Sequence, residues 1–197
     1  MNNADLYKEL ILPSLVKEVQ SIYTYLNVLA NKFNTSKSLY SARTLSFHNS
    51  TDELYNPILK IVKKYPFLAK FLRIFKITPG TGTLIHIDGL SQSEIGNYTI
   101  NIPILGCSKL CPTEFYEVSP EHIFSDSILK TRTIEEHNAK KIDEYFLIDN
   151  PFLCSHQVPH RVFNNSKVDR ITISWGIEVN WTPDKISKLI ETGTYNV

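Results

Sequence analysis

Phe71-Leu72-Arg73-Ile74-Phe75-Lys76-Ile77-Thr78-Pro79-Gly80-Thr81-Gly82-Thr83-Leu84-Ile85-His86-Ile87-Asp88 is the stretch that decides the fold. Both ends are dense in β-branched and aromatic residues, and Pro79-Gly80-Thr81-Gly82 between them is a turn signal. Two short strands are expected, Phe71–Ile77 and Thr83–Asp88. Side chains alternate along a strand, so His86 and Asp88 share a face with Leu84, while Ile85 and Ile87 pack on the other. An imidazole and a carboxylate projecting together from a strand end form two thirds of a divalent-metal site.

The same texture continues outward. From Ala69 to Glu178 short strands alternate with turns: further strands are expected at Tyr98–Ile104, Thr113–Val118, Ile128–Ile134, Tyr145–Ile148, Val158–Phe163 and Arg170–Glu178. Eight short strands suggest a double-sheet jelly roll or small barrel. Residues 119–143 are polar and aperiodic and read as a long excursion, either an active-site lid or a variable surface loop. Before the strands, 4–33 read as helical with a break near Pro13, and a second helix is expected from the capping box Ser50-Thr51-Asp52-Glu53 to about Tyr65. After them, Thr182 and Pro183 start a last helix that Gly193 ends. The expected fold class is mainly β with flanking helices: one domain over 1–197, with helical support in 1–68, a jelly-roll core in 69–178 and a C-terminal helix in 182–192.

Bulk properties narrow the function classes. The chain has 197 residues and a net charge of +1, which gives no support for nucleic-acid binding through a basic surface. No apolar run approaches the ~18 residues of a membrane span. The start lacks a signal-peptide pattern, and three cysteines suit a reducing compartment, so a cytoplasmic location is expected.

The third metal ligand must come from elsewhere. Of His48, His122, His137, His156 and His160, only His156 and His160 adjoin a strand with suitable companions. These lie in Val158-Pro159-His160-Arg161-Val162-Phe163-Asn164-Asn165-Ser166, followed by Asp169-Arg170-Ile171-Thr172-Ile173-Ser174-Trp175. A competing cluster, Cys107, Cys111, Cys154 and His156, has a loose Cys3His composition for structural zinc. Arg161 alternates away from the face of His160, and Trp175 and Trp181 read as core. Arg73 and Lys76 read as a solvated edge rather than as contacts to an anionic substrate.

These motifs together resemble the 2-oxoglutarate- and iron(II)-dependent oxygenase superfamily, in the manner of its aspartyl/asparaginyl and prolyl hydroxylase-like members. The resemblance covers roughly Phe71 to Trp175 and lies in the combined spacing, with Arg170 ten residues after His160. It implies a double-stranded β-helix, a cupin-like jelly roll, with His86, Asp88 and His160 holding Fe(II) and His156 as the fallback ligand. It further implies that Arg170 pairs with the distal carboxylate of 2-oxoglutarate through its guanidinium fork, with Thr172 on the same face as a hydroxyl donor. Ser174 follows on that face. Thr99 and Asn101 alternate with isoleucines and suggest a wet pocket lining that contacts co-substrate, or else a solvent-facing edge. The activity implied is O2-dependent hydroxylation of a C–H bond in an amino acid, peptide side chain or small metabolite, releasing succinate and CO2. Members that halogenate carry a small residue at the carboxylate position, so Asp88 favours hydroxylation or a related oxidation. The alternative is a non-catalytic cupin-like module that binds a small ligand.

Overall fold

The computed structural model describes residues 7–33, 40–46, 53–88, 95–125, 132–155 and 157–193. In chain order come strand β1 (Tyr7–Glu9), helices α1 (Pro13–Ser21) and α2 (Tyr23–Phe33), strand β2 (Tyr40–Ser46) and helix α3 (Asn56–Lys64). Next are β3 (Leu68–Ile77), β4 (Ile85–Ile87), β5 (Ile95–Leu105), β6 (Thr113–Val118), β7 (Phe124–Ser125) and β8 (Arg132–Ile134). They are followed by β9 (Ala139–Tyr145), β10 (Phe152–Ser155), β11 (His160–Val162), β12 (Arg170–Glu178) and helix α4 (Pro183–Thr192).

The strands form two six-stranded antiparallel sheets, ordered β1-β10-β5-β12-β3-β2 and β7-β8-β4-β11-β6-β9. From β3 onward the chain passes back and forth between them: β3, β5, β10 and β12 belong to the first, β4, β6 and β11 to the second. This is the jelly roll, mainly β with flanking helices, that the strand spacing predicts.

Alternation divides the first sheet into an apolar and a polar face. Leu72 and Ile74 of β3, Ile100 and Ile102 of β5, and Ile173 and Trp175 of β12 join one large core with Leu15, Val19, Leu26, Ile58 and Ile61 of the helices. The helices therefore cover the outside of this sheet, and the burial of these side chains, at about 1.5–3 kcal/mol each, fixes which way every strand faces. The intervening residues, Arg73, Phe75 and Ile77, Thr99 and Asn101, and Arg170, Thr172 and Ser174, are turned toward the second sheet. Trp175 anchors the arrangement: it is fully buried, and its indole N–H donates to the Ala69 carbonyl at 2.6 Å.

Several expectations need correction. Tyr7–Glu9 is not helical but a strand that pairs with β10, and the helix begins at Pro13. Tyr40–Ser46 is likewise a strand within the region read as helical support. Tyr145–Ile148 is not a strand of its own; the strand there is Ala139–Tyr145 and ends where that one was expected to begin. Phe152–Ser155 is an additional strand, and the excursion 119–143 contains β7, β8 and most of β9. Ser50, Thr51 and Asp52 of the capping box, and residues 128–131 of the fifth expected strand, lie outside the described residues. The C-terminal helix forms as expected: Thr182 Oγ1 accepts from the Lys185 N–H, Pro183 is the first residue, and Gly193 takes φ 64° after the last turn. No helix among the described residues is long and apolar enough to cross a membrane.

Candidate metal centre

The site begins with two short neighbouring strands. β4 and β11 pair so that His86 lies directly opposite His160, their ring centroids 4.5 Å apart. The register is set just upstream. Gly82 bridges Phe163, the Thr83 N–H donates to the Val162 carbonyl at 2.8 Å, and the Val162 N–H donates to Thr83 Oγ1 at 3.0 Å. A Cβ at Gly82 would stand 2.6 Å from the Val162 carbonyl oxygen, so only glycine allows this approach. Asp88 follows β4, with Oδ1 at 3.8 Å from His86 Nε2. One ligand atom from each of His86, Asp88 and His160 lies within 4.8 Å of the others, and no other such group of His, Cys, Asp or Glu occurs among the described residues.

Hydrogen bonding fixes what the imidazoles offer. His86 Nδ1 lies 2.8 Å from the Leu84 carbonyl, and His160 Nδ1 lies 2.9 Å from the Val158 carbonyl. A carbonyl only accepts, so each Nδ1 carries the proton, and in a neutral ring Nε2 then keeps its lone pair for a metal. Burial, and then the neighbouring His160, push the His86 pKa down to about 4, against the opposing pull of Asp88; the charge of Arg73 also disfavours protonation. His86 is therefore neutral at physiological pH. Two such nitrogens and one carboxylate on one side of a point form the facial set suited to non-haem iron(II). Ligands about 2.1 Å from one ion would stand roughly 3 Å apart, so these side chains are within reach of a shared ion though somewhat spread. The residues present fit the metal.

The first sheet supplies the opposite wall. Along β12 and β3, Arg170 pairs with Ile77, Thr172 with Phe75, and Ser174 with Arg73. On the other side of β12, Ser174 pairs with Asn101 and Gly176 with Thr99. The pocket therefore has two ends. Arg170, Ile77, Thr83 and Val162 mark one; Arg73, Thr99, Asp88 and Cys154 mark the other. Arg170 and Thr172 are both 3% exposed, so the guanidinium lies deep inside the fold.

Each sequence candidate can now be placed. His86, Asp88, His160, Arg170, Thr172, Asn101, Thr99 and Ser174 all line one pocket. β5 is central in its sheet, which removes the edge reading of Thr99 and Asn101 and puts both nearer the Asp88 end than the Arg170 end. Leu84 does not share their face: it precedes β4, is 71% exposed and lies on the outside. His122 and His137 sit at the surface beside Glu121 and Glu135, while His48 and His156 lie outside the described residues. Cys107, Cys111 and Cys154 are free thiols that belong to no converging ligand group among the described residues. Arg73 is not at a solvated edge but in the pocket, and so are Phe75, Phe152 and Cys154, which carry no chemical signal in sequence. Strand alternation places Arg73 with Phe71 and Phe75, but only the second sheet shows that this is the pocket face.

No family model and no curated protein sequence matches the chain. Solved structures do. The non-haem α-ketoglutarate-dependent carbocyclase SnoK from nogalamycin biosynthesis superposes with a TM-score of 0.54 at 13% identity, over 89% of this chain and 81% of that one. A Pseudomonas putida prolyl-4-hydroxylase matches with a TM-score of 0.47 at 9% identity, over 89% of this chain and 93% of that one. AviO1 from Streptomyces viridochromogenes Tue57 matches with a TM-score of 0.47 at 9% identity, over 91% and 92%. The likeness to SnoK shows the fold: this chain has the double-stranded β-helix on which a 2-oxoglutarate/Fe(II)-dependent enzyme is built.

Proposed function

We propose that the protein is a non-haem Fe(II)- and 2-oxoglutarate-dependent dioxygenase that oxidises a C–H bond of an amino acid, a peptide side chain or a small metabolite. One observation carries this reading: two imidazoles with Nδ1 tied to carbonyls and Nε2 free converge with Asp88 in a pocket whose far end holds the buried Arg170. Iron(II) with 2-oxoglutarate and O2 supplies the oxidising power, through oxidative decarboxylation to succinate and CO2.

The chain supplies position, charge and dryness. His86, His160 and Asp88 would hold the ion at the pocket wall. Arg170 receives the distal carboxylate of the co-substrate in its fork, and the Thr172 hydroxyl, one β-repeat along, donates beside it. Phe75, Ile77 and Val162 line the space between them and exclude water, which strengthens both contacts. Three free thiols agree with a reducing, cytoplasmic setting.

Anaerobic titration with iron(II) and then 2-oxoglutarate tests this directly. A weak visible charge-transfer band should grow with both and be absent with either alone, and air should then release succinate. A protein that binds a small ligand without iron, or iron without any response to 2-oxoglutarate, is the cupin-like module instead.

A further inference from the structure

The pocket contains a second guanidinium that the proposed reaction has not used. Arg73 projects inward from β3 and is half-buried among the residues that line the metal pocket. Among the described residues no carboxylate or carbonyl meets it, and its contact is with the ring of Phe71, 5.2 Å from Cζ. Asp88, in the same pocket, forms no ion pair with it. A cation held inside a fold without a counter-charge costs free energy that an arriving anion returns. The aromatic face behind it helps keep the fork oriented.

Arg73 is badly placed to share the work of Arg170. Their backbone positions are offset by the four residues from Arg73 to Ile77, the partner of Arg170, which is about 13 Å at ~3.3 Å per residue. A co-substrate whose far carboxylate rests on Arg170 leaves Arg73 at the other end, beside Asp88 and Thr99. Formal charge points the same way. A divalent ion and Arg170 are balanced by Asp88 and doubly charged 2-oxoglutarate, so the charge of Arg73 remains in excess. A single carboxylate on the substrate would meet that charge. A phosphate monoester brings close to two charges and three acceptor oxygens, more than the one charge and one fork of Arg73 can meet, whereas a carboxylate matches both.

We propose that Arg73 binds the carboxylate of the substrate, and that the substrate is a small carboxylic acid, free amino acids included. This rests on the oxygenase reading and narrows it to a substrate class.

The test uses the full chain loaded with manganese(II), an air-stable stand-in for iron(II), and saturating 2-oxoglutarate. Isothermal titration follows with free L-amino acids and small mono- and dicarboxylic acids, each beside its amide, and with phosphate esters and acidic peptides as further arms. At least one free acid should bind, with its amide weaker by about tenfold or more. Arg73→Gln should weaken that acid by a similar factor while 2-oxoglutarate affinity changes by less than about threefold, and Arg73→Lys should fall between. The acid-against-amide comparison in the wild type needs no variant, so it decides the matter even if Arg73→Gln does not fold. The proposal is overturned if acids and amides bind alike, if no small acid binds, if only phosphate esters or peptides bind, or if Arg73→Gln loses 2-oxoglutarate instead. Provided the wild type binds manganese and 2-oxoglutarate, these outcomes count against Arg73 alone. A wild type that binds neither manganese nor 2-oxoglutarate sinks the oxygenase reading and this proposal together.

Discussion

The two sheets face one pocket and are built in opposite ways. β3, β5 and β12 run for 10, 11 and 9 residues, and their outer faces are sealed by helices. β4 and β11 have 3 residues each, and the outer side of their sheet carries ions. There Glu114 accepts from Arg161 Nε at 2.6 Å and from Lys141 Nζ at 2.8 Å, while Arg161 reaches Glu136 at 2.9 Å. The long sheet gets its rigidity from hydrophobic burial and can therefore hold a buried cation such as Arg170. β4 and β11 make few ladder bonds, so the candidate ligands depend on local devices: the Nδ1–carbonyl bonds of both histidines and the close approach at Gly82. The fold thus places its hydrophobic stability on one wall and the candidate metal group on the other.

That division is broken most easily from the long side. Trp175→Ala removes the largest fully buried side chain and leaves the Ala69 carbonyl without its donor. A loss of about 3–5 kcal/mol is expected, a large share of the ~5–15 kcal/mol that holds a typical domain together. Urea denaturation followed by circular dichroism measures it. A cost below about 1 kcal/mol would mean that the helix-covered face is not the source of stability.

The short side should respond less, and through charge. Burial works against ionisation of Glu114, but hydrogen bonds from Lys141, Arg161 and Tyr116 overcome it and hold its pKa down at about 2. Glu114→Gln should cost about 1–2 kcal/mol at neutral pH. The sign of its pH dependence follows from linkage. A carboxyl whose pKa falls on folding stabilises above its unfolded value and loses that contribution as pH drops through the folded one. The gap between wild type and variant should therefore be level above the ordinary carboxylate range, near 4.5, and close toward pH 2. A gap that persists unchanged in acid would show that packing, not charge, holds this face.

The same contrast explains what could be read in the sequence. Thr113–Val118 and Arg170–Glu178 match their expected bounds at both ends, because each is a run of strand-forming residues closed by its own turn signals. Phe152–Ser155 escaped notice because all of its side chains are buried and nothing alternates. In Ala139–Tyr145, Lys140, Lys141, Asp143 and Glu144 disguise a strand that pairs with β6 at the edge of its sheet. Tyr7–Glu9 is a strand only by virtue of its partner β10. His86, Asp88, His160 and Arg170 stood out because imidazole, carboxylate and guanidinium groups are conspicuous among isoleucines. Arg73 did not, because deciding between pocket and solvent needs the second sheet, which local periodicity does not contain.

The smallest stability change should come from Asp88, the carboxylate of the candidate metal group. Asp88 follows a strand of 3 residues, and its side chain is 19% exposed. Asp88→Ala should therefore shift the metal-free unfolding free energy by about 1 kcal/mol or less. The effect of metal should differ sharply. An ion at a hundred times its dissociation constant stabilises a folded protein by about 2.7 kcal/mol, and the variant should lose most of that gain together with succinate production. Thermal unfolding with and without manganese(II) separates the two terms. If Asp88→Ala unfolds the protein outright, the thin sheet carries structure as well as ligands and the contrast between the walls fails. If it keeps both its stability and its response to metal, Asp88 is not a ligand. Little loss without the ion and a large loss with it is the signature of a side chain held in place for the metal rather than for the fold.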